Sequence, residues 1–255
     1  MSNISLLLLT KNESENIKRW EKWLPKLKRV DELVVVDDNS TDDTKKIVNN
    51  FQSEKLKINL FNRGLEGDFS TQRNFAISKA KNEWVLFIDA DEEPSDKLIR
   101  FLNTEELNPK ICFAFKRHLI YIDQVVAHGQ AQKDYPIRLF TKNSGEFVNP
   151  IHEVWKTDSC VVRINKPLYH YSAPNLKTFI NKLNTYSTLR AKELFEKHIP
   201  VNLFQIIFYP LAKFIQTYIW HLGFLDAIPG IIICTSLSFY SFLVRSKLWR
   251  LYHAS

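Results

Sequence analysis

Apolar runs alternate with amphipathic stretches through the first hundred residues. "ISLLLLT" (4–10), "ELVVVDD" (32–38) and "EWVLFID" (83–89) are short, apolar almost throughout, and end in polar or acidic residues. Such runs read as strands buried on both faces. "KINLFN" (57–62) is a further strand. Between them lie stretches with helical spacing: 13–27, with Asn12 or Ser14 as cap; 40–52, opened by Ser40 or Thr41 with acids in its first turn; and 68–81. Strand and helix in alternation predict βαβ units and a mostly parallel sheet flanked by helices, an α/β fold.

After Leu107 the texture changes. Segments 111–126, 136–142 and 160–172 read as further strands, some antiparallel. Residues 175–198 form a long helix with Leu176, Phe179, Ile180 and Leu183 on its apolar face. Two apolar segments follow. The first, 203–224, carries Lys213 and Pro210; the second, 227–244, carries no charge and is followed by Arg245, Lys247 and Arg250. A span needs about 20 apolar residues. A hairpin of the two segments, or a pair of helices lying in the interface, keeps the basic tail on the cytoplasmic side. The alternative is a pair of ordinary core helices. The expected division is a catalytic domain over 1–198, with halves 1–100 and 101–198, and a membrane-associating helical region over 199–255.

A chain of 255 residues, 25% charged and 45% hydrophobic, is large enough to fold around a real core. Its formal net charge of +7 favours anionic partners such as nucleotides or a membrane surface. The basic residues are interspersed with acids along helices and no base-reading motif occurs, so no nucleic-acid partner is expected. Cys112, Cys160 and Cys234 lie far apart with no C-x-x-C, which indicates neither a zinc ribbon nor a disulfide framework. The apolar stretch 4–9 is too short for a leader and lacks a basic flank. The expected place is therefore the cytoplasmic face of the inner membrane, held there as a peripheral or monotopic protein.

The chemistry gathers where strands end, the ligand-binding edge of open α/β sheets. In "FIDADEEPS", Asp89 and Asp91 follow an apolar strand. Clustered carboxylates repel unless a cation sits among them. Mg²⁺ or Mn²⁺ would take one aspartate directly and leave the other for ribose or a bound water. The alternative is a solvated acidic turn leading to a helix capped by Ser95. In "VVVDDNSTDDT", Asp37 and Asp38 precede a helix start and could accept from a base or ribose. Thr10, Asn12 and Glu13 leave the first strand. Arg73, in "TQRNFAI", could hold a diphosphate through its fork or be a surface arginine.

These four blocks, in this order and spacing, resemble the family 2 glycosyltransferases of GT-A fold. The fit is tight over roughly residues 3–100. "PIRLFTKNSGEFVNPIHEVW" (136–155), "PLYHYSAPNLKTFI" (167–180) and the apolar tail look like the subgroup that includes lipopolysaccharide-core glycosyltransferases. Asn39 stands where many members have Gly, and Glu92-Glu93 extend the acidic cluster. The resemblance implies a GT-A, Rossmann-like sheet with C-terminal membrane-associated helices. It implies an inverting, metal-dependent transfer of a sugar from a nucleotide-diphosphate sugar, with a UDP-sugar favoured, to a hydroxyl of a lipid-linked glycan such as lipopolysaccharide core. Thr10, Asn12, Glu13 and Asp37 or Asp38 would line the nucleoside pocket, with Arg73 near the ribose or diphosphate and Asp89 serving ribose or water; Arg138 reads either as a diphosphate contact or as an ion-pair partner for the acidic cluster. Asp89 and Asp91 would be the D-x-D metal pair, with Asp91 the direct ligand; His170, between two tyrosines, reads either as a further metal or phosphate ligand or as a satisfied, partly buried histidine. Glu153 is the expected base and His152 the runner-up.

Three rivals compete with that function. A sugar nucleotidyltransferase needs a glycine-rich loop after the first strand, and "LLLLTKNES" has none. A polyprenyl-phosphate sugar synthase would share the donor site and membrane tail. A non-catalytic membrane-bound nucleotide-sugar-binding protein has no need of the acids at 38, 89, 91 and 153.

Overall fold

Four runs form strands β1 (Ile4–Thr10), β2 (Val30–Asp37), β3 (Lys57–Asn62) and β4 (Trp84–Phe87), all parallel, in the spatial order β3-β2-β1-β4. In this computed structural model, residues 2–121, 124–129, 134–149, 153–171 and 176–253 are described. They divide into two compact units: Met1–Arg117 with Tyr135–His170, and His118–Asp134 with Tyr171–Ser255. The sequence pattern predicts a boundary after residue 198 instead.

In the first unit the central strands are buried on both faces. Leu6 and Leu8 join one apolar cluster with Trp20, Trp23 and Leu98, and Leu7, Val34, Val36 and Phe87 join another on the opposite face. That two-sided burial is why β1, β2 and β4 read as continuous apolar runs rather than alternating ones. The helices are α1 (Ser14–Ile17), α2 (Thr44–Asn49), α3 (Phe69–Lys79) and α4 (Asp96–Thr104). Ser95 caps α4, its Oγ accepting from Leu98 N–H at 3.2 Å. Asp68 caps α3.

Two helices differ from expectation. The stretch 13–27 is not one helix but α1 followed by 3₁₀ turns at Lys18–Lys22 and Leu24–Lys26, with Pro25 at the start of the second. α2 begins at Thr44 rather than beside Ser40 or Thr41. The would-be caps are used elsewhere: Ser40 donates through both N–H and Oγ to Asp37, and Thr41 N–H donates to Asn12 Oδ1 at 2.8 Å. Side chains that bond nearby loop groups in this way cannot open a helix.

Beyond the Asp89-Ala90-Asp91 (DxD) turn the short β5 (Glu92–Pro94) pairs antiparallel with β11 (Cys160–His170). β6 (Ile111–Tyr121) and β8 (Ile137–Thr141) pair antiparallel, and β8 lies against β4. The order is thus β3-β2-β1-β4-β8-β6-β11-β5. A separate hairpin, β9 (Gly145–Val148) with β10 (Val154–Thr157), packs through Trp155, whose ring stacks on Phe140 at 3.9 Å.

In the second unit the end of β6 pairs with β7 (Gln124–Val126). α5 (Leu176–Glu196), α6 (Leu203–Phe214) and α7 (Ala227–His253) make up the rest, with a π-helical turn Ile215–Trp220 after α6. α5, expected in the acceptor half, lies here: Lys247 of α7 donates to Asn184, Ser187 and Thr188 of α5. The three cysteines are free.

Candidate functional site

The carboxyl ends of β1, β2 and β4 supply the acids, and the loops after them decide which way each points. At β2, Asp37 is wholly buried. It accepts from Thr10 Oγ1 at 2.9 Å, from Ser40 N–H at 2.8 Å and from Ser40 Oγ. Thr10 and Asp37 therefore hold each other and lock two strand ends together. Asp38 is turned to the loop, accepting from Leu65 N–H at 3.0 Å and from Lys11 Nζ at 2.7 Å. The Lys11 hydrogen bond holds its carboxyl below the usual aspartate range, against the opposing effect of burial. Of the two candidate nucleoside-facing acids, only Asp38 retains accessible surface: its side chain is 14% exposed and that of Asp37 0%.

Asn12 and Asn39 both take left-handed backbone, φ 54° and 55°. Asparagine reaches that region at little cost, which is how Asn39 fills a position where glycine is common. Asn12 spends its side chain on Thr41, and Glu13 accepts from Asn16 Nδ2 at 2.7 Å.

At the end of β4 the structure assembles a knot of opposite charges. Asp89 accepts from Arg73 Nη2 at 2.9 Å and from Arg138 Nη2. Burial pushes the Asp89 carboxyl up, but Arg138, Arg73 and Arg117 outweigh it and hold it well below the ordinary range. Burial would likewise lower the Arg138 pKa, but Asp89 and Glu92 raise it instead. Arg73 reaches the opposite way as well, donating Nε to Glu153 Oε1 at 2.9 Å. Its guanidinium lies over the rings of Phe87 and Phe147, 4.9 and 5.3 Å from their centroids. Two N–H groups in this knot, Arg73 Nη1 and Arg138 Nε, are buried without a partner among the described residues.

Asp91 leaves the knot. Its Oδ2 meets His170 Nε2 at 3.2 Å, with both side chains about one-fifth exposed. Their encounter follows from register, because His170 on β11 lies opposite Glu92 on β5. Of the expected metal set, Asp91 and His170 come together while Asp89 faces the arginines. No group of three or more metal-ligating side chains occurs among the described residues. The pair does fit a hard cation that takes one or two protein ligands and completes its shell with water and substrate oxygens. His152 lies outside the described residues.

Two contributors were missed in the sequence. Asn74 clamps β9 by a reciprocal pair, Nδ2 to Phe147 O and Phe147 N–H to Oδ1, both 2.9 Å. That pair sets the hairpin bearing Glu153 beside Arg73. Glu92, noted only as extra acidity, is buried inside the knot. The position of Asn74 next to Arg73 was the one available signal for the first. For the second it was the proximity of Glu92 to two aspartates.

Comparison with known proteins adds the family. The model of "Glycosyl transferase family 2" matches residues 5–156, more than half of the chain. A Rickettsia prowazekii (strain Madrid E) protein named uncharacterized glycosyltransferase RP128 is 28% identical, over 97% of this chain and 87% of its own. Lipopolysaccharide core biosynthesis glycosyltransferase LpsC of Rhizobium meliloti (strain 1021) is 26% identical, over 90% and 86%. Among solved structures, mannosyltransferase PcManGT from Pyrobaculum calidifontis, in complex with GDP-Man and Mn²⁺, shares the fold. Its TM-score is 0.53 at 13% identity, covering 97% of this chain and 87% of that one. With the GT-A sheet, the acids at its strand ends and a family match over residues 5–156, the chain belongs to glycosyl transferase family 2 and is a nucleotide-sugar-dependent glycosyltransferase.

Proposed function

We propose that the chain transfers a sugar, with inversion, from a nucleotide-diphosphate sugar to a hydroxyl of a lipid-linked glycan of the lipopolysaccharide-core kind. The observation that carries the reading is the split of the DxD pair: Asp89 is clamped by Arg73 and Arg138, and Asp91 is presented with His170. Asp91 and His170 would hold Mg²⁺ or Mn²⁺, which would supply positive charge to the departing diphosphate. Thr10, Asn12 and Asp37 shape the nucleoside pocket from behind, while Asp38 and Glu13 face it. Arg73 and Arg138 keep Asp89 ionised and aimed at the ribose side of the donor.

Glu153 is the proposed base. Arg73 engages its Oε1, and Oε2 has no partner among the described residues, so one oxygen is fixed and the other is left to accept the acceptor's proton. That proton transfer lets the hydroxyl oxygen attack the anomeric carbon as the bond to the diphosphate breaks. PcManGT, solved with GDP-Man and Mn²⁺, and LpsC, named for lipopolysaccharide core synthesis, support the donor and acceptor classes by analogy. A UDP-sugar is the favoured donor.

The second unit supports a membrane-bound acceptor. Among the described residues one helix, Gly223–His253, is long and apolar enough to cross a membrane, and 33% of its most apolar window is buried. We place the enzyme on the cytoplasmic face of the inner membrane, peripheral or monotopic.

The test is a titration with UDP, GDP and their sugars, each with and without Mn²⁺, followed by melting temperature. Ligand at a hundred times its Kd raises stability by about 2.7 kcal/mol. A shift that needs Mn²⁺ and is lost in Asp91→Asn supports the reading. Nucleotide binding untouched by EDTA and by Asp91→Asn would overturn the metal assignment.

A further inference from the structure

Glu92 sits inside the knot of charges at the end of β4. Its side chain is fully buried. Oε1 accepts from Arg138 Nη2 at 2.6 Å and from Arg117 Nη1 at 3.2 Å. Oε2 accepts from the backbone N–H of Asp89 at 3.1 Å, while the N–H of Glu92 donates to Asp89 O at 2.9 Å. The two bonds run in opposite directions and close a ring around Asp89-Ala90-Asp91, much as a capping box closes a helix start. The backbone of Glu92 is also the register partner of His170.

Each contact bears on one half of the DxD pair. Arg138 shares its Nη2 between Glu92 and Asp89, so Glu92 fixes the group that fixes Asp89. The ring sets the turn from which Asp91 projects, and the β5–β11 register brings His170 to it. Without Glu92 the turn loses its closure and Arg138 keeps a single carboxylate partner, Asp89.

We propose that Glu92 is a positioning residue for sugar transfer: it touches no substrate, and acts by holding Arg138 and the Asp89–Asp91 turn in the geometry that receives the donor. This rests on the donor-site reading above. A purely structural buried ion pair would give a different result, because its loss should be restored by any change that rebalances the charge.

The test uses the full chain and donor hydrolysis, the transfer of the sugar to water with release of the nucleoside diphosphate, so that no acceptor is needed. UDP-glucose, UDP-GlcNAc and GDP-mannose are the probes, with Mn²⁺ present. In Glu92→Gln the expected result is a fall in kcat of roughly a hundredfold, the scale of a reacting group displaced by about 1 Å, exceeding any loss of folded protein. Because removing a buried charge can unfold a chain, the neutral double variant Glu92→Gln/Arg117→Gln is measured beside it. It restores the charge balance and the melting temperature but not kcat if Glu92 positions. Wild-type kcat in a folded Glu92→Gln, or recovery of kcat in the double variant, overturns the inference. A wild-type chain that neither binds nor hydrolyses any of the probes overturns the donor-site reading, and this inference with it. A chain that binds and turns over normally with Gln at 92 overturns the inference alone.

Discussion

Arg73 Nε donates to Glu153 Oε1 across 2.9 Å, and the same guanidinium holds Asp89 at 2.9 Å through Nη2. One side chain from α3 thus joins the acid at the end of β4 to the proposed base beside β10. The planar guanidinium presents separate donors in a fixed geometry, one to each carboxylate. The side chain is 7% exposed, so losing it leaves two partly buried carboxylates short of a partner.

Arg73→Ala is expected to destabilise the fold by about 3 kcal/mol, the scale of breaking a buried pair from one side. Arg73→Lys retains a charge but not the fork. It should recover part of that stability while donor hydrolysis stays at least about tenfold down. Thermal melts and initial rates of the two variants check this. Equal rates for Lys and Arg would show that charge alone matters at this position.

Asp37 and Asp38 are neighbours with opposite expectations. Asp37 is buried and accepts from Thr10 Oγ1, Ser40 N–H and Ser40 Oγ. Asp37→Ala leaves those donors without an acceptor and should cost about 3 kcal/mol. Asp38 forms its ion pair with Lys11, whose side chain is 63% exposed, and such a pair contributes little. Asp38→Asn should shift stability by less than about 0.5 kcal/mol and instead weaken nucleotide binding. Melting temperature separates the two variants, and nucleotide titration tests the second. Unchanged nucleotide affinity in Asp38→Asn would remove Asp38 from the pocket.

Much of the first unit was legible in the sequence because burial on both faces writes itself into β1, β2 and β4 as unbroken apolar runs. The strand-end acids were legible for the same reason, since a strand buried on both faces turns acidic only where it leaves the sheet. What stayed hidden was direction. Asp89 and Asp91 are identical in sequence terms, yet one turns to two arginines and the other to His170, and that choice is made largely by β8 and β11 from far along the chain. β5 is three residues long and has no period to detect. The start of α2 is hidden because Ser40 and Thr41 look like caps until their tertiary partners, Asp37 and Asn12, are known.

Acid should act on the loops around the site before it acts on the core. Burial pushes the Asp42 carboxyl up, but hydrogen bonds from Thr44 and Ser14 hold it at about 2. Bonds from Thr71 and Ser70 hold Asp68 at about 2. Both lie below the ordinary aspartate value of about 3.9. A depressed carboxyl contributes its stability fully above that ordinary value and loses it as pH falls through the folded value. Asp38 and Asp89 are shifted the same way. The melting temperature should therefore be insensitive to these groups above about pH 5 and fall between about pH 4 and 2. Asp42→Ala should lower the neutral melting temperature and flatten that acid limb. An acid limb of unchanged slope in that variant would show that Asp42 plays no part in it.

Four strongly exposed apolar side chains of the second unit cluster where α6 turns back into α7. Trp220 is 82% exposed, Ile228 72%, Ile219 56% and Leu225 55%. Water is a poor solvent for such a turn, and a patch this large marks an interaction surface. Residues 227–244 carry no charge, and at about 1.5 Å per residue they extend roughly 27 Å, close to the thickness of a hydrocarbon core. The acid within the turn, Asp226, is satisfied by the N–H groups of Ala127 and His128 and by the His128 ring, the last at 2.7 Å, which would shield it on insertion. Basic residues Arg245, Lys247 and Arg250 follow at the far end, where anionic headgroups would meet them. Each large apolar side chain moved from water into lipid contributes about 1.5–3 kcal/mol. Trp220→Ser with Ile228→Ser should therefore lower partition onto phosphatidylglycerol-containing vesicles by at least about a hundredfold, while donor hydrolysis in solution is kept. Co-sedimentation with the vesicles reads the first and nucleotide release the second. A doubly substituted chain that still sediments with vesicles like the wild type would place the lipid contact on some other face of the second unit.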